Sequence, residues 1–80
     1  MVATDRKLAV EFGARVKEAR ERRGLTQDEL AEALKTDKGS VSRIEAGKRT
    51  RIGFGLIRDL SSALKVHVSD LLEPRRRATR

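Results

Sequence analysis

Two helix-start signals in quick succession constrain this chain more than any other feature. Both lie in the stretch TQDELAEALKTDKGSVSRIEAGK. Thr26 opens a Thr-Gln-Asp-Glu capping box, in which the threonine hydroxyl accepts a hydrogen bond from the amide of Glu29 while the glutamate reaches back. Asp37 is a second residue of the N-cap type. The stretch therefore predicts a short helix, a tight turn and a second short helix from Lys38 to about Ala46.

The second of these helices has a narrow apolar face. Val41 and Ile44 are its apolar positions, three residues apart. A helix that only packs against a core needs a wider stripe, whereas a helix that lies in a groove of DNA needs donors on its outer face. On this helix alone, a DNA-reading helix and a short amphipathic helix with a solvated face remain equally open.

Apolar residues at helical spacing occur on both sides of the stretch. A stripe from Leu8 to Ala19 predicts helix 1, which Gly24 ends, and another from Leu56 to Leu64 predicts helix 4. A last short helix opens at Ser69 or Asp70. Because no segment favours a strand, the predicted fold is all-α with five helices. The predicted core comprises Leu8, Phe12, Val16, Ala19, Leu25, Leu30, Ala31, Leu34, Val41, Ile44, Phe54, Ile57, Leu60, Leu64, Val68 and Leu71.

Eighty residues are enough for one small domain. The sequence divides into three parts: a polar N-terminal arm over residues 1–7, the helical domain over residues 8–73, and a basic tail over residues 74–80. The tail contains four arginines and almost no apolar residue, so we expect it to be disordered.

The composition argues against an enzyme and against a metalloprotein. The chain has no cysteine and a single histidine, His67, so it holds no thiolate nucleophile, cysteine zinc site or histidine cluster. It also shows no carboxylate pair, nucleophile with a base or phosphate loop. We therefore expect no enzymatic activity, cofactor or metal. Without a run of about 20 apolar residues or a signal-peptide core, we expect a cytoplasmic protein with no membrane partner.

The excess positive charge is concentrated in two segments. The formal net charge is +7, yet residues 1–37 contain eight basic and eight acidic side chains. Residues 38–58 carry a net +5 and residues 73–80 a net +3, whereas residues 59–72 sum to −1. A segment with equal numbers of basic and acidic side chains is usually just a solvated surface. A block of mostly positive charge beside two short helices indicates a polyanionic partner such as a nucleic acid. Binding is favourable because each phosphate that a cation neutralises releases counterions.

Three segments together resemble a known family. LTQDELAEAL, SVSRIEAGK and SSALKVHVSDLL are similar, in sequence and order, to the Cro and phage-repressor type of helix-turn-helix domain, the XRE family, over roughly Phe12 to Leu72. The resemblance implies a compact five-helix lambda-repressor-like domain with the helix-turn-helix formed by helices 2 and 3. It also implies a sequence-specific transcription regulator, most often a repressor, whose partner is double-stranded DNA.

The resemblance implies a role for individual residues of this chain. It places the base-reading positions at Lys38, Gly39, Ser42 and Arg43. It places the phosphate contacts at Gln27, Ser40, Lys48, Arg49 and Arg51. It makes Arg20 and Glu45 a structural ion pair. The family turn often has glycine where this chain has Lys35, which predicts an altered turn.

A single domain of this kind contacts few base pairs, so we expect a homodimer on a palindromic operator. The candidates for its interface are the apolar residues near the C-terminus, which also fit a role in closing the core: Val66, Val68, Leu71 and Leu72. The alternative function is an antitoxin-like or adaptor protein, whose main partner is a toxin or other protein and whose DNA binding serves autoregulation.

Overall fold

The computed structural model describes residues 2–3 and 6–73. The predicted disorder of the tail, residues 74–80, lies outside the described residues. The all-α class and the helix-turn-helix of helices 2 and 3 are confirmed. The elements are β1 (Val2–Ala3), α1 (Arg6–Arg22), α2 (Gln27–Leu34), α3 (Lys38–Glu45), β2 (Arg51–Ile52), α4 (Phe54–Leu64) and α5 (Val68–Leu72).

The predicted caps set the starts of α2 and α3. The Thr26 hydroxyl accepts from the amide of Glu29 at 3.0 Å, and the Thr26 amide donates to the Glu29 carboxylate at 2.9 Å. The Asp37 carboxylate accepts from the amide of Ser40 at 2.7 Å. Between them Lys35 is left-handed, with φ 60° and ψ 45°, a conformation that costs an L side chain about 1–2 kcal/mol. Lys35 thus adopts the left-handed conformation that glycine adopts without this cost.

α1 and α3 approach so closely that glycine is required between them. A Cβ on Gly13 would lie 2.2 Å from the carbonyl oxygen of Ile44, and one on Gly47 would lie 2.7 Å from the Cα of Val10. This approach decides which face of α1 is buried. Ala9 is 1% exposed, whereas Leu8 is 51% exposed, so the prediction that Leu8 belongs to the core is wrong.

The predicted absence of strands is also wrong. Val2 pairs with Ile52 and Ala3 with Arg51 in a short antiparallel ladder. The Ile52 side chain enters the core with 2% exposure. Helix 4, predicted from the stripe that starts at Leu56, begins two residues earlier, at Phe54, with Gly53 as its N-cap residue.

Two further core predictions are wrong. Phe54 is 68% exposed because it occupies the first turn of α4, where Ile57 points inward instead. Val68 is 40% exposed because it is the first residue of α5, which was predicted to open at Ser69 or Asp70, and Leu71 faces the core. The side chains of the observed core are Ala9, Phe12, Val16, Leu30, Ala31, Val41, Ile44, Ile52, Ile57, Leu60, Leu64 and Leu71.

The core lies between the helix-turn-helix and a support made of α1, α4 and α5. α3 packs on α1 and α2, α2 packs on α4, and α5 joins α1 to α4. Within residues 6–73, no helix is both long and apolar enough to cross a membrane. Among the described residues, this arrangement leaves the outer side of α3 exposed, and that side carries the predicted site.

Candidate nucleic-acid interface

The two faces of α3 differ sharply in burial. Val41 is fully buried and Ile44 is 3% exposed, so this stripe holds the helix against the core. The four predicted base-reading residues are all exposed on the opposite side: Lys38, Gly39, Ser42 and Arg43. One accessible face of α3 therefore presents two cationic side chains, the Ser42 hydroxyl and the backbone of Gly39.

The side chains of Asp37 and Arg43 both lie close to Gly39, which is in the first turn of α3. A Cβ on Gly39 would lie 3.4 Å from Oδ1 of Asp37 and 3.8 Å from Nη1 of Arg43. Helical side chains lean toward the N-terminus, so Arg43 lies back over Gly39. Hydrogen bonds from the Ser40 amide and then from the Ser40 side chain lower the pKa of Asp37, and the charge of Arg43 adds to this effect.

The predicted phosphate contacts after α3 lie on an exposed basic segment. Lys48, Arg49 and Arg51 are all exposed. The Lys48 amide donates to the carbonyl of Arg43 at 3.0 Å, which closes the end of α3. The Nε of Arg49 donates to the carbonyl of Arg51 at 3.0 Å. Ser40 differs from these three, because it is half-buried and its amide is already bound to Asp37.

Arg20 and Glu45 form a bidentate ion pair inside the helix-turn-helix. Nε of Arg20 lies 2.6 Å from Oε2 of Glu45, and Nη2 of Arg20 lies 3.1 Å from Oε1. The two side chains are 11% and 4% exposed. The hydrogen bond to Glu45 raises the pKa of Arg20 above its ordinary value. A third donor, Nη1 of Arg20, reaches the carbonyl of Leu25 at 2.7 Å and ties the end of α1 to the start of α2.

Gln27 joins this network. As the first residue of α2 it is half-buried, and its Nε2 donates to Oε1 of Glu45 at 3.0 Å. The resemblance pointed to a phosphate contact for Gln27 and to a structural pair for Glu45. The resemblance also places Gln27 beside helix 3, but it assigns no contact between Gln27 and Glu45.

The comparisons with known proteins decide the family. The model of the helix-turn-helix domain matches residues 11–73. The chain belongs to the XRE-type helix-turn-helix family. The members of this family are DNA-binding transcription regulators. No curated protein shows significant similarity to the chain.

Three solved structures illustrate the similarity of this XRE-type chain to regulators. The restriction-modification controller protein C.AhdI from Aeromonas hydrophila is 32% identical, with a TM-score of 0.76 over 82% of this chain and 94% of that one. The clp gene regulator ClgR from C. glutamicum is 32% identical, with a TM-score of 0.75 over 81% and 83%. SinR, a master regulator for biofilm formation solved in complex with DNA, is 32% identical, with a TM-score of 0.72 over 78% and 98%.

The predicted dimer-interface residues of the XRE-type domain do not form one exposed patch. Leu71 is fully buried and Val66 is half-buried against the core, whereas Val68 and Leu72 are 40% and 47% exposed. Leu71 is therefore a core residue, in agreement with the second role predicted for these side chains.

An apolar groove lies at the side of the domain formed by α1, α4 and α5. Its volume is about 210 Å³. Leu8, Phe54 and Leu72 stand at its surface, 51%, 68% and 47% exposed. Sequence reasoning missed the groove because it assigned Leu8 and Phe54 to the core. The groove is lined by Leu8, Phe12, Arg15, Ile52, Phe54, Ile57, Leu71 and Leu72.

Proposed function

We propose that this protein is a sequence-specific double-stranded DNA-binding transcription regulator that places α3 in the major groove. The observation that carries the proposal is the exposed polar face of α3. Lys38, Ser42 and Arg43 lie opposite the buried Val41 and Ile44. A helix of this shape fits the major groove, where Arg donates two hydrogen bonds to guanine and Lys reaches guanine or phosphate.

The charge around α3 supports the same proposal. Residues 38–58 carry a net +5, and the cations at Lys48, Arg49 and Arg51 follow α3 directly in the chain. Phosphate contacts position a protein on the duplex, whereas base contacts provide specificity. We propose that the basic segment and Gln27 hold the backbone while α3 reads bases. The amide and the hydroxyl of Ser40 both bind Asp37 in the free protein, so Ser40 would contact a phosphate only if its hydroxyl turned away from that carboxylate.

We further propose that the protein acts as a homodimer on a palindromic operator. An α3 of eight residues contacts few base pairs, so two copies related by a two-fold axis would read half-sites about 34 Å apart. The surface that we propose for the contact is the groove of α1, α4 and α5. It is accessible and mostly apolar, and it includes the exposed Leu72 of the predicted interface residues, whereas Val66 packs against the core of the same chain.

The occupant that we propose for the groove is Phe54 of a second copy. The groove has a volume of about 210 Å³, and cavities of about 150 Å³ accept benzene. Phe54 stands beside the groove with 68% of its surface exposed. A two-fold contact is isologous, so each Phe54 would enter the groove of the other copy and both exposed rings would be covered together.

Repression is the regulatory effect that we propose, because a protein that occupies an operator blocks transcription through DNA binding alone. A reporter transcribed from a promoter that contains the selected site tests this part. Repression by the wild-type chain and not by Arg43→Ala is the expected result. Activation of the reporter would contradict it.

A binding selection from random duplex DNA at stated salt concentrations tests the main proposal. We expect a two-fold symmetric motif whose half-sites are separated by about one helical turn. The affinity for the motif should exceed that for random duplex by about 10³-fold or more. Failure to enrich any motif, together with equal affinity for all duplexes, would exclude sequence-specific regulation. If the protein binds no duplex DNA but is recovered from the cell bound to another protein, the adaptor function is favoured instead.

A further inference from the structure

Glu45 lies where three helices of the domain meet. It is the last residue of α3, its side chain is 4% exposed, and it contacts both Arg20 near the end of α1 and Gln27 at the start of α2. An ion pair of this kind explains the contact with Arg20. It does not by itself explain why the Gln27 amide also turns toward the carboxylate.

Both oxygens of Glu45 are occupied. Oε2 accepts from Nε of Arg20, and Oε1 accepts from Nη2 of Arg20 and from Nε2 of Gln27. An ionised carboxylate only accepts hydrogen bonds. The Gln27 amide must therefore present its nitrogen to Glu45, and this contact fixes which way round the amide lies.

A fixed amide has a defined direction in which it can donate. The nitrogen of a glutamine side chain carries two hydrogens, and Glu45 takes one of them. The second remains available to an acceptor outside the network. A phosphate oxygen is such an acceptor, and the half-buried position of Gln27 leaves the side chain partly accessible to it.

We infer that Glu45 is a positioning residue for DNA binding, which orients the Gln27 amide so that its free N–H donates to a phosphate. The inference rests on the proposed function. Arg20 stabilises the carboxylate in this arrangement, and Leu25, which accepts from the same arginine, fixes the chain just before Gln27. The network thus connects the position of α3 to the position of a backbone contact made by α2.

Replacement of Glu45 by glutamine tests the inference because it removes an acceptor while keeping the shape of the side chain. The amide of glutamine has one acceptor oxygen where the carboxylate has two. Arg20, which donates to both oxygens of Glu45, would take that oxygen. Gln27 would then face an N–H₂ group, which cannot accept its hydrogen bond, and its amide would lose its fixed direction.

The experiment is a methylphosphonate scan, in which each phosphate of the selected operator is replaced in turn by an uncharged methylphosphonate. We expect one position per half-site where the replacement weakens wild-type binding by about tenfold, as the loss of a hydrogen bond to a charged group does. At that position the replacement should have almost no effect on Gln27→Ala and on Glu45→Gln. The matched control is Glu32→Gln, which makes the same change at an exposed position of α2 outside the network and should retain the effect.

The outcomes separate this inference from the proposed function. A wild-type protein that binds no duplex overturns both. A wild-type protein that binds its operator, with a sensitive phosphate that is lost in Gln27→Ala but kept in Glu45→Gln, overturns the inference alone. Sensitivity lost equally in Glu32→Gln and Glu45→Gln, with both variants folded by circular dichroism, would assign the effect to the lost charge and would also overturn the inference.

A measurement on the wild-type chain keeps the inference testable if Glu45→Gln does not fold. In the free protein, one of the two Gln27 side-chain amide protons should exchange with solvent more slowly than the other, because Glu45 binds only one. Addition of operator DNA should then slow the exchange of the second proton. Two protons that exchange equally fast in the free protein would overturn the inference.

Discussion

Arg43 is the side chain of α3 best suited to discriminate between bases. It is exposed, and it extends over Gly39 toward the amino end of the helix, beside the carboxylate of Asp37. A guanidinium held in this direction matches the two acceptors of guanine in the major groove. The neighbouring Ser42 is shorter and reaches a base only if the helix lies deep.

Replacing Arg43 by alanine should therefore reduce both affinity and specificity. We expect a loss of about 1–3 kcal/mol on the selected operator and a relaxed preference at one base pair of each half-site. Competition binding against operators substituted at each position measures this. Lys17→Ala, which removes an exposed cation of α1, is the control and should change neither quantity. Equal weakening on random DNA would contradict a base-reading role for Arg43.

Asp37 should make the stability of α3 dependent on pH. Its hydrogen bonds with Ser40 lower its pKa below the ordinary value of 3.8, and Arg43 contributes further. The unfolded chain takes up a proton at a higher pH than the folded chain does. The stabilisation by the charged cap is therefore fully present above about pH 4 and is lost as the pH falls through the lowered pKa.

Thermal melts of the wild type and of Asp37→Asn test this prediction. Asparagine is an equally good N-cap residue without a charge, so the difference between the two melting temperatures isolates the carboxylate. We expect the advantage of the wild type at neutral pH to shrink below pH 3.8. A difference that stays constant down to pH 2 would show that the charge of Asp37 does not contribute.

At the scale of elements, the basic segment between α3 and α4 combines two tasks. Ile52 anchors it in the core and pairs with Val2, while Arg51 and Lys48 remain exposed. An anchored segment holds its cations in place, so that less entropy is lost when they meet phosphates. The ladder of β1 with β2 therefore orders the basic segment, whose cations would lose more entropy on binding if they lay on a free loop.

Substitution of Lys48 by alanine should weaken binding to all duplexes by a similar factor. Each phosphate contact contributes about 0.9 to the slope of log affinity against log salt concentration, so the slope should fall by about one unit. Titrations at several salt concentrations on the operator and on random DNA measure both effects. Lys65→Ala, an exposed lysine at the end of α4, is the control. A change of base preference in Lys48→Ala would contradict a phosphate-only role.

The contact between α1 and α3 predicts an unusual effect of alanine in a helix. Gly13→Ala should destabilise the fold, although alanine normally favours a helix over glycine by about 0.5–1 kcal/mol. The new methyl group would overlap the carbonyl oxygen of Ile44, which is backbone and cannot rotate away. Overpacking of this kind costs about 1–3 kcal/mol, so we expect a net loss of about 2 kcal/mol or less.

Urea unfolding measures the loss. Gly55→Ala is the matched control, because it also replaces a glycine within a helix and its Cβ would meet nothing within 4 Å. It should leave the free energy of unfolding unchanged or raise it slightly. A stabilised Gly13→Ala would show that the two helices separate more easily than this geometry implies.

At the scale of the whole molecule, the groove and the face of α3 involve different helices. In our proposal, the residues that read DNA lie on α3. The helical residues that line the groove lie on α1, α4 and α5. Dimer formation and base reading should therefore respond to different substitutions. This separation makes the dimer proposal testable without damage to the DNA-binding surface.

Phe54→Ala should weaken the dimer and leave the monomer folded, because the ring is exposed. Loss of a buried aromatic anchor costs about 2 kcal/mol or more, so the dissociation constant of the dimer should rise at least about thirtyfold. Sedimentation equilibrium measures it, and affinity for a palindrome should fall more than affinity for a half-site. Val68→Ser, an exposed apolar residue outside the groove, should change neither. A dimer that Val68→Ser dissociates and Phe54→Ala does not would place the interface elsewhere.

The features that the sequence determined by itself are local. The capping box at Thr26, the cap at Asp37, the turn at Lys35 and the narrow stripe of α3 depend on hydrogen bonds between residues within about four positions of each other. Each of these features can be predicted from its own segment, because all of the interacting residues lie within that segment. The exposure of the α3 face also follows from them, because a helix with one narrow apolar stripe has little else to bury.

Contacts between distant segments were decided only by the tertiary structure. The periodicity of α1 is compatible with burial of Leu8 or of Ala9, and the approach of α3 to Gly13 selects Ala9. Ile52 enters the core whereas Phe54 is exposed, and the strand of Ile52 pairs with residues far away in sequence. The hydrogen bond between Gln27 and Glu45 likewise depends on how helices meet in space, which spacing along the chain does not specify.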